Sequence, residues 1–262
     1  MASDTIIKIT GVSKLFSNSI QALRDFSLSV KKDEFVSLVG PNGCGKSTIL
    51  RIIAGLIKPT DGILEVLLSN SNKLKKDNNS AVGFVFQKAT LMPWATVFNN
   101  VWLPLRLNNI TKREAQPIIM EHLELLGLAQ FANSYPKELS GGMSMLVSIA
   151  RALVLRPQLL LMDEPFSALD EITRFKLNDV LLRIHVEKKI AIILVTHSIY
   201  EAVYLSNRVI LMSSRPGRVL GNFSVESTST LRCEDFRNSP MYHYCYQTIS
   251  SKLKEHMKEG TI

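Results

Sequence analysis

Hydrophobic and polar positions divide the chain into three patterns. From Thr5 to Val30 they alternate loosely, as in the strands of an antiparallel sheet at the start of a domain. Glu34–Val39, Leu159–Met162 and Ile190–Val195 are instead nearly continuous apolar runs of strand length, the pattern of strands buried on both faces in a doubly wound α/β sheet. Between Lys88 and about Arg156 the period becomes helical, clearest over Lys112–Leu126 with Gly127 as its stop, and this reads as a helical insertion into a strand-rich core.

Shorter elements fill the gaps. Ser47–Ile57 has the apolar density of a packed helix, ended by the turn Lys58-Pro59-Thr60-Asp61-Gly62 and followed by strands over Ile63–Leu68 and Ala81–Phe86. Ser69–Ser80, rich in Asn, Ser and Lys, reads as an exposed loop, and Ser144–Leu155 reads as a helix ended by Arg156-Pro157. Val209–Met212 is expected to be the final strand, followed by a turn at Arg215-Pro216-Gly217-Arg218. A linker-like composition opens at Glu226; beyond Pro240, Tyr242, Tyr246, Ile249, Leu253 and Met257 form a helical stripe expected to pack on the main domain. The expected division is therefore a domain over 1–225, with the insertion at about 88–156, and a linker and helix over 226–262.

A length of 262 residues and 46% hydrophobic content suit one large domain or two intimate ones. No run approaches the roughly 18 apolar residues needed to cross a bilayer, and Met1–Ile9 lacks the features of a secretory leader, so the expected location is the cytoplasm. Cys44, Cys233 and Cys245 have no metal-ligand spacing and fit free thiols in a reducing compartment. The net charge of +8 suits nucleic acid, anionic lipid or merely a basic surface. Its densest groups, Lys73–Lys76 and Lys252–Lys258, lie outside every motif and read as solvated faces.

The strongest chemistry lies between a strand and a helix, in Gly40-Pro41-Asn42-Gly43-Cys44-Gly45-Lys46-Ser47-Thr48. This fits the pattern GxxxxGK[ST], whose glycines let successive N–H groups point inward at the positive end of the helix. Phosphate fits such a cavity, with Lys46 beside the terminal phosphates and the Ser47 hydroxyl placed to ligate Mg2+. A second helix start, Leu139-Ser140-Gly141-Gly142-Met143, supplies another set of N–H groups for an anion. Asp163 and Glu164 stand at the carboxyl end of one buried strand and Thr196-His197 at that of another. Asp163 suits the metal, Glu164 an attacking water, and His197 a hydrogen bond to a γ-phosphate oxygen or to the water. Phe16 suits either core packing or the face of a purine, and Trp94 in Leu91-Met92-Pro93-Trp94 either core or a docking surface.

These motifs, with Gln87 and Ser167-Ala168-Leu169-Asp170 in the same order, resemble the ATP-binding cassette ATPases from about residue 5 to 224. Leu91–Trp94, Pro165–Asp170 followed by Thr173-Arg174, Glu201-Ala202 and Arg215–Arg218 are similar to the ATPase subunits of bacterial importers for nitrate, sulfonate, taurine and bicarbonate, and to relatives carrying thiamine-pyrimidine precursors. The resemblance implies a phosphate-loop NTPase core, a mixed sheet with flanking helices and an antiparallel N-terminal β subdomain, carrying an inserted α-helical subdomain. It implies a homodimer closed head to tail, in which ATP on residues 40–48 of one copy meets Ser140, Gly141 and Gly142 of the other. Phe16 would stack on adenine; Gln87 would sense the γ-phosphate or Mg2+, which Ser47 and Asp163 help to hold; Glu164 would be the general base and His197 would stabilise the transferring phosphoryl group. The implied partners are a membrane permease gripped by the insertion and, indirectly, an extracytoplasmic solute-binding protein, with the chain on the cytoplasmic face of the membrane. Nucleic acid is the expected partner only of cassettes with paired domains or long coiled-coil insertions. The family's basic, Gln-Arg-containing stretch after the signature is replaced here by Ser144-Met145-Leu146, which implies less positive charge beside that loop.

Overall fold

The computed structural model describes residues 4–68, 81–225, 232 and 234–259. The chain forms two compact units, Met1–Leu68 with Leu181–Ile262, and Ser69–Val180. Nine strands and eight α-helices are ordered β1 (Thr5–Leu15), β2 (Gln21–Lys31), β3 (Phe35–Val39), α1 (Lys46–Ile53), β4 (Asp61–Val66), β5 (Val82–Val85), α2 (Val97–Leu107), α3 (Lys112–Leu125), α4 (Gly141–Leu153), β6 (Leu159–Asp163), α5 (Glu171–Lys188), β7 (Ala191–Thr196), α6 (Ile199–Leu205), β8 (Arg208–Met212), β9 (Val219–Ser224), α7 (Glu234–Arg237) and α8 (Pro240–Glu259) among the described residues. The expected loop over 69–80, the thiol of Cys233, the side chain of Met257 and the linker over 226–231 lie outside the described residues.

In the first unit, β2, β1 and β4 form an antiparallel sheet. The alternation along β2 slips at Asp25, which adopts φ 51° while its N–H is taken by Ser13 Oγ at 3.0 Å. One extra residue there resets the phase, so that Phe26, Leu28 and Val30 all face inward. The continuous apolar runs form the second sheet: β3 pairs in parallel with β7 and β8, and β9 closes the edge antiparallel to β8, giving a mixed sheet. Every residue of β3 and β7 is buried, which is why neither alternates. Glu34, nearly buried, binds Arg208 at 3.0 Å and accepts the Lys31 N–H at 2.7 Å, tying β2, β3 and β8 at one end.

Element ends shift from the expectation by a few residues, as in β4, which runs Asp61–Val66 rather than Ile63–Leu68, and β9 and α7 are elements not expected. α1 ends at Ile53 rather than Ile57, because Gly55 turns left-handed (φ 72°) and Leu56 N–H closes back on the Arg51 carbonyl at 2.9 Å. β9 follows the expected final strand; its half-exposed positions, as suits an edge, carry little apolar signal. α7 is a single turn, too short for any periodicity.

In the second unit, β5 and β6 pair in parallel and α2, α3 and α4 supply the helical region. Thr96 caps α2, and Thr111 with Glu114 forms a reciprocal capping box on α3. Asn100, fully buried, accepts the Met92 N–H at 2.7 Å and donates to the carbonyls of Met92 and Ala95. That side chain holds the 92–96 loop in one shape and leaves Trp94 outside, 77% exposed.

The C-terminal stripe packs as expected within the first unit. Tyr242, Cys245 and Ile249 are buried, Tyr246 stacks on Tyr200 with centroids 4.1 Å apart, and the Tyr242 hydroxyl donates to the Tyr200 carbonyl at 3.0 Å. Arg232 donates to the carbonyls of Val203 and Tyr204, closing the C-terminus of α6, and its burial lowers the guanidinium pKa to about 10. Burial likewise raises the Tyr242 phenol from its ordinary 10.0 to about 12. Because the folded state favours the neutral phenol, its contribution is complete below pH 10 and is lost as pH rises towards about 12. Tyr242→Phe should cost about 1 kcal/mol at neutral pH. The stability difference between wild type and variant, followed by urea denaturation, should shrink between about pH 10 and about pH 12. A gap that stays constant across that range would show that the phenol is not held neutral by burial.

Candidate active site

In the first unit the phosphate loop leaves the carboxyl end of β3 and enters α1. Gly45 sits before α1 at φ 104°, where a Cβ would lie 2.6 Å from the Ala22 carbonyl oxygen. Only glycine satisfies both conditions. Because Gly45 has no side chain, α1 begins without a side-chain cap, the arrangement that turns first-turn N–H groups towards an anion. Lys46 is 4% exposed, and its ammonium donates to the carbonyls of Gly40 at 2.8 Å and Pro41 at 2.9 Å. The loop thereby grips the base of its own cation and fixes where the charge stands. Cys44 is 1% exposed, its Sγ 4.0 Å from Lys46 Nζ, so at this position the backbone rather than the thiol belongs to the loop's face.

Parallel pairing of Val39 with Thr196 puts Thr196-His197 at the same sheet edge as the start of this loop, with His197 exposed. Phe16 opens the turn between β1 and β2, 38% exposed, and the Lys14 ammonium lies 5.4 Å from its ring centroid. Phe16 is thus a surface aromatic rather than a core residue.

The second unit assembles the carboxylates. Val85 pairs with Met162, so Gln87 and Asp163-Glu164 emerge at the same end of adjacent strands. Gln87 Nε2 lies 3.3 Å from Glu164 Oε2 and 3.2 Å from Ser167 Oγ, and Ser167 Oγ donates to the Glu164 carbonyl at 2.9 Å. Glu164 adopts φ 47°, a left-handed conformation uncommon for glutamate. Such strain persists where neighbours over-determine the backbone, here Ser167, whose N–H and hydroxyl both donate to the Glu164 carbonyl. Asp163 is buried beside it.

Ser140 caps α4, its Oγ accepting the Met143 N–H at 3.2 Å. A Cβ on Gly142 would meet Thr173 at 2.7 Å and one on Gly141 would lie 3.6 Å from Leu169, so the signature rests on the 167–173 segment. Asp170 there accepts the Thr173 N–H at 2.9 Å, and the backbone and hydroxyl of Thr173 hold its carboxyl below the usual range.

The family model of the ABC transporter matches residues 23–167. The chain belongs to the ABC transporter family. It is 46% identical to an uncharacterized ABC transporter ATP-binding protein of Methanocaldococcus jannaschii, over 81% of this chain and 79% of that one. It is 44% identical to the aliphatic sulfonates import ATP-binding protein SsuB of Bacillus cereus, over 81% of this chain and 83% of the other. Among solved structures it is similar to a dimeric ATP-binding cassette in a post-hydrolysis state bound to ADP and Pi, with a TM-score of 0.72 and 35% identity over 84% of this chain and 99% of that one. The protein is thus an ABC ATPase with the α/β fold expected of it.

Two features of this ABC ATPase escape a reading of its motifs. Arg151 of α4 donates to the carbonyls of Ala89 and Thr90, holding the loop that follows Gln87. Ser167 joins Gln87 to Glu164, a role visible only once β5 and β6 are seen to be neighbours. The departure at 144–146 is also clarified: Met145 is buried, so the missing positive charge concerns Ser144 and Leu146, which are half-exposed. Ser140→Ala should lower stability by about 1 kcal/mol through loss of the α4 cap, whereas Ser140→Asp should keep it. Urea midpoints check this, and an unchanged midpoint in the alanine variant would show that the hydroxyl does not cap the helix.

Proposed function

We propose that this chain is the ATP-hydrolysing subunit of a bacterial importer for a small anion or organic solute, seated on the cytoplasmic face of the membrane beneath a separate permease. No helix among the described residues is long and apolar enough to cross a membrane, which agrees with a span supplied by a partner. The observation that carries the reading is the pair of anion-ready helix starts in one chain, α1 behind Gly45 and α4 behind Ser140. Two copies closed head to tail would place one of each against the same triphosphate. The similar cassette solved as a dimer with ADP and Pi supports that arrangement, and the sulfonate-import relative supports an anionic or organic cargo. The nitrate, taurine, bicarbonate and thiamine-precursor classes fit the same subgroup, and an extracytoplasmic solute-binding protein would hand over the cargo. The ATPase domain is taken as 1–225 with an insertion at about 88–156 that meets the permease, and 226–262 as an appended tail.

In this reading the N–H groups of residues 40–48 hold the phosphates and Lys46 neutralises charge on the transferring group. Phe16 stacks on adenine, and His197 donates to the γ-phosphate as charge develops. Glu164, aimed by its strained backbone and by Gln87, takes a proton from the attacking water. Mg2+, when bound, would supply charge neutralisation between phosphate oxygens. The hard donors Ser47, Gln87 and Asp163 suit it. No group of three or more His, Cys, Asp or Glu among the described residues could form a protein-only cage, so phosphate oxygens would complete its shell.

Two substitutions separate binding from chemistry. Lys46→Ala should weaken ATP binding by about tenfold or more. Glu164→Gln should bind ATP normally yet hydrolyse it at least about a hundredfold more slowly in the assembled complex. Equal hydrolysis by the glutamine variant would remove Glu164 as the base. Trp94→Ala should reduce co-purification of the permease while leaving ATP binding intact, because a fully presented aromatic on a fixed loop suits an interface anchor; undiminished co-purification would move the interface elsewhere.

A further inference from the structure

The turn Ser213–Arg218 lies against the back of the phosphate loop, within the first unit. Arg215 Nε donates to the Gly43 carbonyl at 3.1 Å, and its guanidinium occupies the space beside Gly43, where a Cβ would come within 2.9 Å of it. Gly217 passes so close to the Cys44 carbonyl that no side chain could be added there. On its other side Gly217 is fastened to β2, donating its N–H to the Ala22 carbonyl at 2.9 Å and accepting the Arg24 N–H at 3.1 Å. The same Ala22 carbonyl is the atom that a Cβ on Gly45 would strike. The turn is itself closed at its base: Ser213 Oγ lies 2.8 Å and 3.0 Å from the carbonyls of Ser214 and Pro216, and accepts the Arg218 N–H at 2.9 Å.

We propose that Arg215 and Gly217 are positioning residues for nucleotide binding: the turn is a brace that sets the curvature of residues 43–45 and so aims their N–H groups. A phosphate loop works by the convergence of several N–H vectors, and its glycines, which allow the curl, also leave it free to relax. Something outside the loop must choose one curl. Here a charged donor holds the carbonyl of Gly43 outward, and across that planar trans peptide the N–H of Cys44 points the opposite way, into the loop, where it donates to the Pro41 carbonyl at 3.3 Å and so fixes the curl. β2 serves as the fixed wall, since its Ala22 carbonyl accepts the Gly217 N–H and closely approaches Gly45. Arg215 is exposed, so its role is this bond rather than filling of the core. It is 172 residues from Gly43 in sequence, which makes it a long-range contact that no local motif supplies.

The inference rests on the proposed binding of ATP at residues 40–48, and the experiment separates the two. Full-length wild type, Lys46→Ala, Arg215→Ala, Arg215→Lys and Gly217→Ala are titrated with MgATP and, in competition, with adenosine, which lacks phosphate. Amide hydrogen exchange is followed for the peptide spanning 40–45. Arg215→Ala should weaken ATP binding on the order of tenfold, as for a lost charge-assisted hydrogen bond, with adenosine unchanged and faster exchange confined to that peptide. Arg215→Lys should recover part of the loss, since an ammonium can reach a carbonyl but lacks the flat guanidinium, and Gly217→Ala should reproduce the phosphate-selective loss. If wild type does not bind ATP, or Lys46→Ala binds it equally well, the nucleotide-site reading itself fails. If those two behave as expected but Arg215→Ala binds ATP within twofold of wild type, or loses adenosine in parallel with ATP, the brace is overturned. Should Gly217→Ala fail to fold, Arg215→Ala decides alone.

Discussion

The arrangement around the nucleotide-binding loop depends on close approach between backbones. Gly40 lies where a Cβ would be 2.9 Å from the Met212 carbonyl, and Gly45 where one would be 2.6 Å from that of Ala22. These approaches let β3 end, curl and restart as α1 without a side chain intruding on the cavity. They also leave carbonyls nearby that must be occupied, and Lys46 takes those of Gly40 and Pro41. The lysine thus serves its own loop before it serves any ligand. Two neutral carbonyls hold its ammonium in place.

The second unit solves a related problem by different means. In the proposed reading its carboxylates would have to be held at a defined spot, because a carboxylate repels the phosphate it would approach. Burial of Asp163 and the left-handed backbone of Glu164 fix both groups through the main chain, with Ser167 and Gln87 supplying hydrogen bonds. The backbone cost of order 1 kcal/mol at Glu164 is small against the stability of a fold with wholly buried strands. Ser140 and Gly142 are placed by the α4 cap and by contact with Thr173, so the signature takes its position from α5 rather than from its own flexible glycines.

How much of this was legible depends on how local the cause is. Continuous apolar runs located β3, β6 and β7 because burial on both faces leaves no polar position to confuse the pattern. The phosphate loop and the signature were legible because glycine, lysine and serine act there through neighbouring backbone. β9 and the slip at Asp25 were not, since an edge strand shows only weak apolar alternation and a bulge shows only as a phase error. The long-range partners were invisible for another reason. Arg215 appeared as a turn residue and Ser167 as part of a motif; that one holds Gly43 and the other joins Gln87 to Glu164 follows from strand order, which no single stretch encodes. Trp94 was ambiguous between core and surface until Asn100 was seen to hold its loop.

The net charge of +8 is not what the proposed binding of a triphosphate would rest on. Exposed lysines act across solvent and are screened within roughly 8 Å at physiological salt, and charges such as Lys252 are partly matched by neighbours such as Glu255. Lys46 differs because it is 4% exposed, so its field is weakened far less by solvent and ions. The N–H groups of α1 are fixed dipoles that need no reorganisation when an anion arrives. Affinity built this way should follow the shape of residues 40–48 more closely than the ionic strength, unlike binding driven by a basic surface, whose strength falls steeply with added salt. The basic character of the chain is therefore a property of its solvated faces, whereas the proposed phosphate binding would rest on a short stretch whose backbone is held in place from several sides.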